Sequence, residues 1–223
     1  MKEAIDKLPA PKELARFLDW TLLRLDATKD ELERACADAR EHGIGCVCVN
    51  GSRVSQAYHW LGDSSVKVIA AVGYPWGAAD ADAKRYETEV AVDHDAHFIE
   101  VVANFGRIKD GDRDYVLREL RDIVDAADER PVSVVVEASL LSKTDVRTLC
   151  KLAVESGAKG VVTSADPAGP PPRVDDVKWL REIVGQHFGV KAAGVSDAVT
   201  ALALMQAGAT RIGTAEAMKF CSD

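Results

Sequence analysis

The feature that most constrains this chain is an alternation that runs its whole length. Short runs rich in Val, Ile and other small apolar residues recur, and each is followed by a stretch with helical spacing. That order is the signature of parallel βαβ units. The spacing predicts strands near 17–22, 44–49, 66–72, 97–103, 132–137, 159–163, 189–193 and 210–213. Helices are expected near 28–42, 52–61, 79–92, 112–127, 142–155, 174–184 and 196–207, with a short one after 214. Thr28, Ser142 and the pair Ser196-Asp197 stand where helix N-caps belong, while Gly43, Gly157 and Gly208 fall between helix and strand as C′ residues. Eight such units close on themselves more readily than they form an open sheet, so the expected fold is α/β, a single (β/α)8 TIM barrel. The 223 residues suit one domain over 1–223, with a helical N-terminal extension over 1–16.

Charge and composition narrow the function classes. The net charge is −8 at pH 7, which argues against a nucleic-acid surface or an anionic membrane as partner. No run approaches the ~20 apolar residues of a membrane span, and residues 1–16 lack the apolar core of a signal peptide. The five cysteines (Cys36, Cys46, Cys48, Cys150 and Cys221) are odd in number and lack paired spacing, so they read as reduced thiols in a cytoplasmic protein. A small-molecule ligand remains compatible with all of this. Barrels of this kind frequently pair, which makes a homodimer the expected assembly.

Alternate strand residues face opposite sides, and in a barrel one side faces the helices. In Phe98-Ile-Glu-Val-Val-Ala-Asn104 the set Ile99, Val101 and Ala103 suits the helix side, which turns Glu100, Val102 and Asn104 inward. By the same rule Ser133, Val135 and Glu137 point inward, as do Lys191, Cys46, Cys48 and Asn50. Charges without a route to water are costly, so an inward lysine and two inward glutamates call for an explanation. One explanation is a structural ion pair of Lys191 with Glu100 or Glu137 at the barrel floor. The other is a site with a chemical or binding purpose at the strand C-termini, where barrel active sites lie.

Seven segments then carry a family resemblance. Leu18-Asp-Trp-Thr-Leu-Leu23, Cys46-Val-Cys-Val-Asn50, Val72-Gly-Tyr-Pro-Trp-Gly77 and Ile99-Glu-Val-Val-Ala-Asn104 resemble strand motifs of deoxyribose-phosphate aldolases. So do Val136-Glu-Ala-Ser-Leu-Leu141, Gly189-Val-Lys-Ala-Ala-Gly194 and Gly208-Ala-Thr-Arg-Ile-Gly-Thr214. The resemblance implies a barrel enzyme without cofactor or metal, acting through a lysine Schiff base in a strand-six motif. That motif here reads Val161-Val162-Thr163-Ser164, so Val162 fills the lysine's position. The family's strand-seven lysine matches Lys191, its strand-four aspartate matches Glu100, and its first-strand aspartate matches Asp19. A strand-five lysine falls at Ser133, and the glutamate after it is Glu137. Around the family's phosphate subsite stand Asp166, Val195 and Glu216, where negative charge and a Cβ disfavour an anion.

An aliphatic side chain cannot act as a nucleophile, and carboxylates beside Lys191 favour its ammonium form. The leading expectation is therefore a divergent member that has lost the ordinary aldolase reaction. It would perform lyase or proton-transfer chemistry on a small unphosphorylated carbonyl compound. Glu100 and Lys191 would be the acid–base pair, Asp19 would complete the catalytic set, and Cys48, Asn50, Asn104, Glu137, Thr163 and Ser164 would contact substrate. Two alternatives stand beside it: a Schiff-base aldolase with Lys191 as relocated nucleophile, and a catalytically silent binding or scaffold subunit. His94 and His97 lie in a turn at the wrong end of strand four for the active face, and a solvated turn is preferred there to a metal site. Tyr74 and Trp76, after strand three, either wall the pocket or cap the barrel.

Overall fold

The structure is a computed structural model and describes residues 11–165 and 172–221. The strands are β1 (Leu18–Leu22), β2 (Cys46–Asn50), β3 (Lys67–Val72), β4 (Phe98–Val102), β5 (Val132–Val135), β6 (Gly160–Val162), β7 (Gly189–Ala192) and β8 (Arg211–Thr214). They are parallel and hydrogen-bonded in sequence order, and β8 closes onto β1. This is the expected (β/α)8 barrel. The helices are α1 (Lys29–His42), α2 (Val54–Leu61), α3 (Ala81–Asp93), α4 (Phe105–Lys109), α5 (Arg113–Ala126), α6 (Lys143–Glu155), α7 (Val174–Val184) and α8 (Ala198–Gln206). The eighth unit ends in a 3-10 turn, Ala217–Phe220, and the described part of the N-terminal extension is the 3-10 segment Pro11–Phe17. Residues 1–10 of that extension and the proline-rich stretch 166–171 lie outside the described residues.

Local chemistry sets the helix starts. Thr28 and Glu31 form a reciprocal capping box on α1, and Ser142 and Asp197 accept from the Asp145 and Thr200 amides at the starts of α6 and α8. The valines and leucines of the outer strand face pack with the helices in one continuous core that includes Val47, Ile99, Val101, Val134, Val161 and Ile212. Inside the barrel are two smaller apolar clusters. One holds Cys46, Cys48, Ile69 and Ala71; the other holds Val102, Val135 and Val162.

Strands β4 and β5 end earlier than the sequence pattern suggests, and this redirects two side chains. Asn104 lies past β4, and its side chain accepts from the Arg107 amide to cap the short helix α4, which the sequence pattern does not show. Glu137 lies past β5 with φ 32°, turned toward the loop after β6. A strand's alternation holds only while the ladder holds, so neither residue follows the inward rule.

One charged pair lies in the outer layer. Lys84 of α3 and Glu119 of α5 are fully buried and 2.9 Å apart, and Lys84 Nζ also donates to the Val102 carbonyl at 3.0 Å. The pair thereby ties two helices to the C-terminal end of β4. Burial pushes the Lys84 pKa down and the Glu119 pKa up, each opposed by the partner's charge. Removing one partner leaves the other charge uncompensated, so Lys84→Met should cost about 3–5 kcal/mol in urea unfolding. Lys84→Met combined with Glu119→Leu should cost less than the single change.

Glycine geometry gives a second test. Gly43 and Gly77 both have φ of 65°, but a Cβ at Gly43 meets open space, whereas one at Gly77 runs into the Ala103 carbonyl and Val102. Gly43→Ala should cost about 1–2 kcal/mol, the left-handed penalty alone. Gly77→Ala should cost clearly more in the same unfolding assay, because backbone must also move.

Candidate active site

Four charged side chains meet inside the barrel. Lys191 Nζ lies 2.7 Å from Glu100 Oε1 and 3.1 Å from Asp19 Oδ2, and Arg211 donates from Nε to Asp19 Oδ1 at 2.6 Å. The order is Arg211, Asp19, Lys191, Glu100, so charges of opposite sign alternate and sum to zero. Strand alternation delivers them: Leu18, Trp20, Val190 and Ile212 belong to the outer core, which turns Asp19, Lys191 and Arg211 inward. Cys48 is fully buried with Sγ 3.9 Å from Glu100 Oε2, and Arg211 also reaches Cys46 Sγ at 3.1 Å.

The electrostatics follow from burial and order in the chain of charges. Burial alone would raise Asp19, but Arg211 and Lys191 on either side hold it below its ordinary value of 3.8. Burial would lower Lys191, yet Asp19 and Glu100 together raise it above 10.5. Glu100 has only one adjacent cation, and burial leaves its pKa raised above 4.5. Burial also pushes the Cys46 and Cys48 thiols above their ordinary range, which keeps them protonated.

Above this network, at the C-terminal ends of the strands, is a narrow cleft of about 30 Å³ that opens to solvent. Its polar side is Thr21, Glu100, Lys191 and Thr214; its apolar side is Val102, Val135, Val162 and Tyr74. Val162 pairs in register with Val135 on one side and Lys191 on the other, so valine stands beside the lysine. Tyr74 walls the cleft, whereas Trp76 is exposed. A second cavity, at the opposite mouth, is also lined by Glu100 and Lys191 together with Ser133, so the charges form a septum between the two openings.

Of the residues singled out from sequence, Lys191, Glu100, Asp19 and Cys48 are brought together. Glu137, Ser164 and Thr163 form a separate loop lock. Glu137 accepts from Ser139 Oγ (2.6 Å), Ser164 Oγ (2.8 Å) and the Ala165 amide (2.8 Å), while Thr163 Oγ1 accepts from the Ala193 amide at 3.0 Å. Within that lock, Ser164 also lines the cleft. Asn50 is half-buried at the end of β2 and, like Asn104, does not line the cleft. His97 Nδ1 accepts from the Val68 amide at 3.2 Å, and no group of three or more metal-ligating side chains occurs among the described residues.

One amide in each of the loops after β7 and β8 is used internally. Val195 is buried in the outer core and its amide donates to the Gly213 carbonyl at 3.1 Å. The Glu216 amide donates to Thr214 Oγ1 at 3.0 Å. Glu216 does not project its charge into the cleft as the sequence suggested: its carboxylate pairs with Lys219 at 2.6 Å. Asp166 lies outside the described residues.

No protein-family model matches the chain. Individual proteins do. It is 42% identical over 203 residues to a deoxyribose-phosphate aldolase of Bdellovibrio bacteriovorus, covering 91% of this chain and 92% of that protein. It is 43% identical over 204 residues to deoxyribose-phosphate aldolase 1 of Bacillus licheniformis, with 91% and 92% covered. The chain belongs to the deoxyribose-phosphate aldolase family. Among solved structures, the deoxyribose phosphate aldolase from Aeropyrum pernix, a tetramer, superposes with a TM-score of 0.89 at 26% identity, covering 98% of this chain and 93% of that one. The relatives named deoxyribose-phosphate aldolase are lyases, and this chain is an aldolase-family enzyme of that kind. Among the described residues, no helix is long and apolar enough to cross a membrane.

Sequence reasoning missed Arg211 as part of this family member's central network. It sits in a quoted motif, and the alternation around Ile212 gives the signal: if Ile212 faces the helices, Arg211 and Gly213 face inward. Opposite pH slopes test the network. The lowered Asp19 pKa means the unfolded chain binds more protons, so Asp19 stabilises above 3.8 and that contribution disappears as pH falls through its folded value. The raised Glu100 pKa means the folded chain binds more protons, so stability falls as pH rises from 4.5 through its folded value. In urea titrations across the acid range, Asp19→Asn should cost about 3–5 kcal/mol near neutrality and flatten the acid loss. Glu100→Gln should remove the opposite slope.

Proposed function

We propose that this aldolase-family barrel does not form the Schiff base at its strand-six position and instead moves a proton on a small, unphosphorylated carbonyl compound. The observation that carries this reading is Lys191 held between Asp19 and Glu100 with Val162, not a second amine, at its side. A lysine becomes nucleophilic when desolvation or a neighbouring cation frees its lone pair. Two carboxylates do the reverse, so Lys191 serves as a fixed ammonium donor. Glu100, raised by burial, is a stronger base than an ordinary carboxylate and lines the same cleft.

In the proposed step Glu100 takes the proton from the carbon next to the carbonyl. The C–H electron pair becomes the C=C bond of an enolate, and the carbonyl π pair moves onto oxygen. Lys191 hydrogen-bonds that oxygen and balances its charge without releasing its own proton. Asp19, anchored by Arg211, positions Lys191. Return of a proton from Glu100 to the same carbon restores the carbonyl compound and completes an exchange. The absence of phosphate in the substrate is supported by the internally bonded Val195 and Glu216 amides and by the charge-neutral network. The reading also takes the protein as a cytoplasmic homodimer, the location in keeping with five free cysteines; the Aeropyrum relative is a tetramer.

Incubation with propanal or butan-2-one in D2O, followed by NMR, should show deuterium entering the α-carbon. The rate should rise with pH through a midpoint above the ordinary glutamate value, and Glu100→Gln should lower it about 10²–10⁴-fold. Borohydride with propanal should leave Lys191 unmodified; a stable Lys191 adduct would contradict the reading in favour of a relocated Schiff base. An absence of exchange with every carbonyl tested would favour a silent binding subunit.

A further inference from the structure

We infer that the cleft selects a carbonyl compound whose other end is a short, unhydroxylated alkyl chain, seated on the valine row Val102, Val135 and Val162. This rests on the proposed reading of the cleft as a carbonyl site and names the substrate class. The three valines are consecutive partners in strand register across β4, β5 and β6, so their side chains stand side by side as one surface. They form an apolar cluster separate from the helix-side core, walled by Tyr74 and Ala193. The three valines carry no polar side-chain atom, and the Ser164 hydroxyl of the same cleft donates to Glu137, so a sugar-like hydroxyl placed on the valine row would lose water partners that the row does not replace.

Lys191, the strand neighbour of Val162, supplies the polar contact. An ammonium has three donors. Lys191 Nζ donates to Glu100 Oε1 at 2.7 Å and stands 3.1 Å from Asp19 Oδ2 as an ion pair, which leaves donor capacity for a ligand oxygen. A molecule with a carbonyl oxygen at one end and hydrocarbon at the other matches this pairing of an ammonium with an apolar row. A phosphate or carboxylate finds neither an unpaired cation in the described lining nor the Val195 and Glu216 amides, which are already donating.

Ligand-observed NMR titration of the full chain with propanone, butan-2-one, pentan-2-one, 1,3-dihydroxypropanone and inorganic phosphate tests this. Burial of one methylene is worth about 0.8 kcal/mol, which is about fourfold in affinity per added carbon. Butan-2-one and pentan-2-one should each bind about fourfold more tightly than the ketone before it, and both should outcompete dihydroxypropanone and phosphate. Val162→Thr, which keeps shape but adds a hydroxyl, should reduce the gain per carbon to below twofold. Val135→Ile, which fills space, should selectively weaken pentan-2-one. A flat ketone series, no ketone binding, or tighter binding of dihydroxypropanone or phosphate overturns the inference. Chain-length dependence without α-deuterium exchange keeps it and defeats the proton-transfer reading; exchange that favours dihydroxypropanone does the reverse.

Discussion

The interior of this barrel depends on a buried chain of alternating charges. Moving one such ion out of water costs several kcal/mol, so none of the four is stable there alone. Arg211 makes Asp19 tolerable, Asp19 and Glu100 make the Lys191 ammonium tolerable, and Lys191 only partly compensates Glu100. The groups come from β8, β1, β7 and β4, so the network ties opposite walls of the barrel through its centre. Its end member is the least compensated carboxylate, and that group lines the cleft.

The neighbouring positions fit this arrangement. Where the family resemblance places a nucleophilic lysine, Val162 joins Val102 and Val135 in an apolar row. A second ammonium there would face Lys191 across a strand pair and disturb the charge balance. With valine, the cleft has a polar side and a hydrocarbon side, and the Val195 and Glu216 amides of the loops above are used internally.

Much of this was legible in the sequence where the ladder is regular. Alternation placed Glu100, Lys191, Cys46 and Cys48 inside because β2, β4 and β7 keep their pairing through those residues. It failed at Asn104 and Glu137 because β4 and β5 stop at Val102 and Val135, after which hydrogen-bonding partners in the loops decide direction. Lys84 and Glu119 were illegible for a different reason. A charged residue on a helix reads as solvent-facing, and only the packing of α3 against α5 reveals that the two meet out of water. Glu216 carried a charge that sequence could place near the cleft, but Lys219 one turn later draws it away.

The protonation state of Lys191 is the hinge between a nucleophile and a fixed donor. A heteronuclear NMR titration that follows the Lys191 side-chain nitrogen measures it directly. The account predicts that this nitrogen remains an ammonium at pH 10, where an ordinary lysine has begun to lose its proton. Loss of the proton below pH 9 would contradict it and return Lys191 to the role of amine nucleophile.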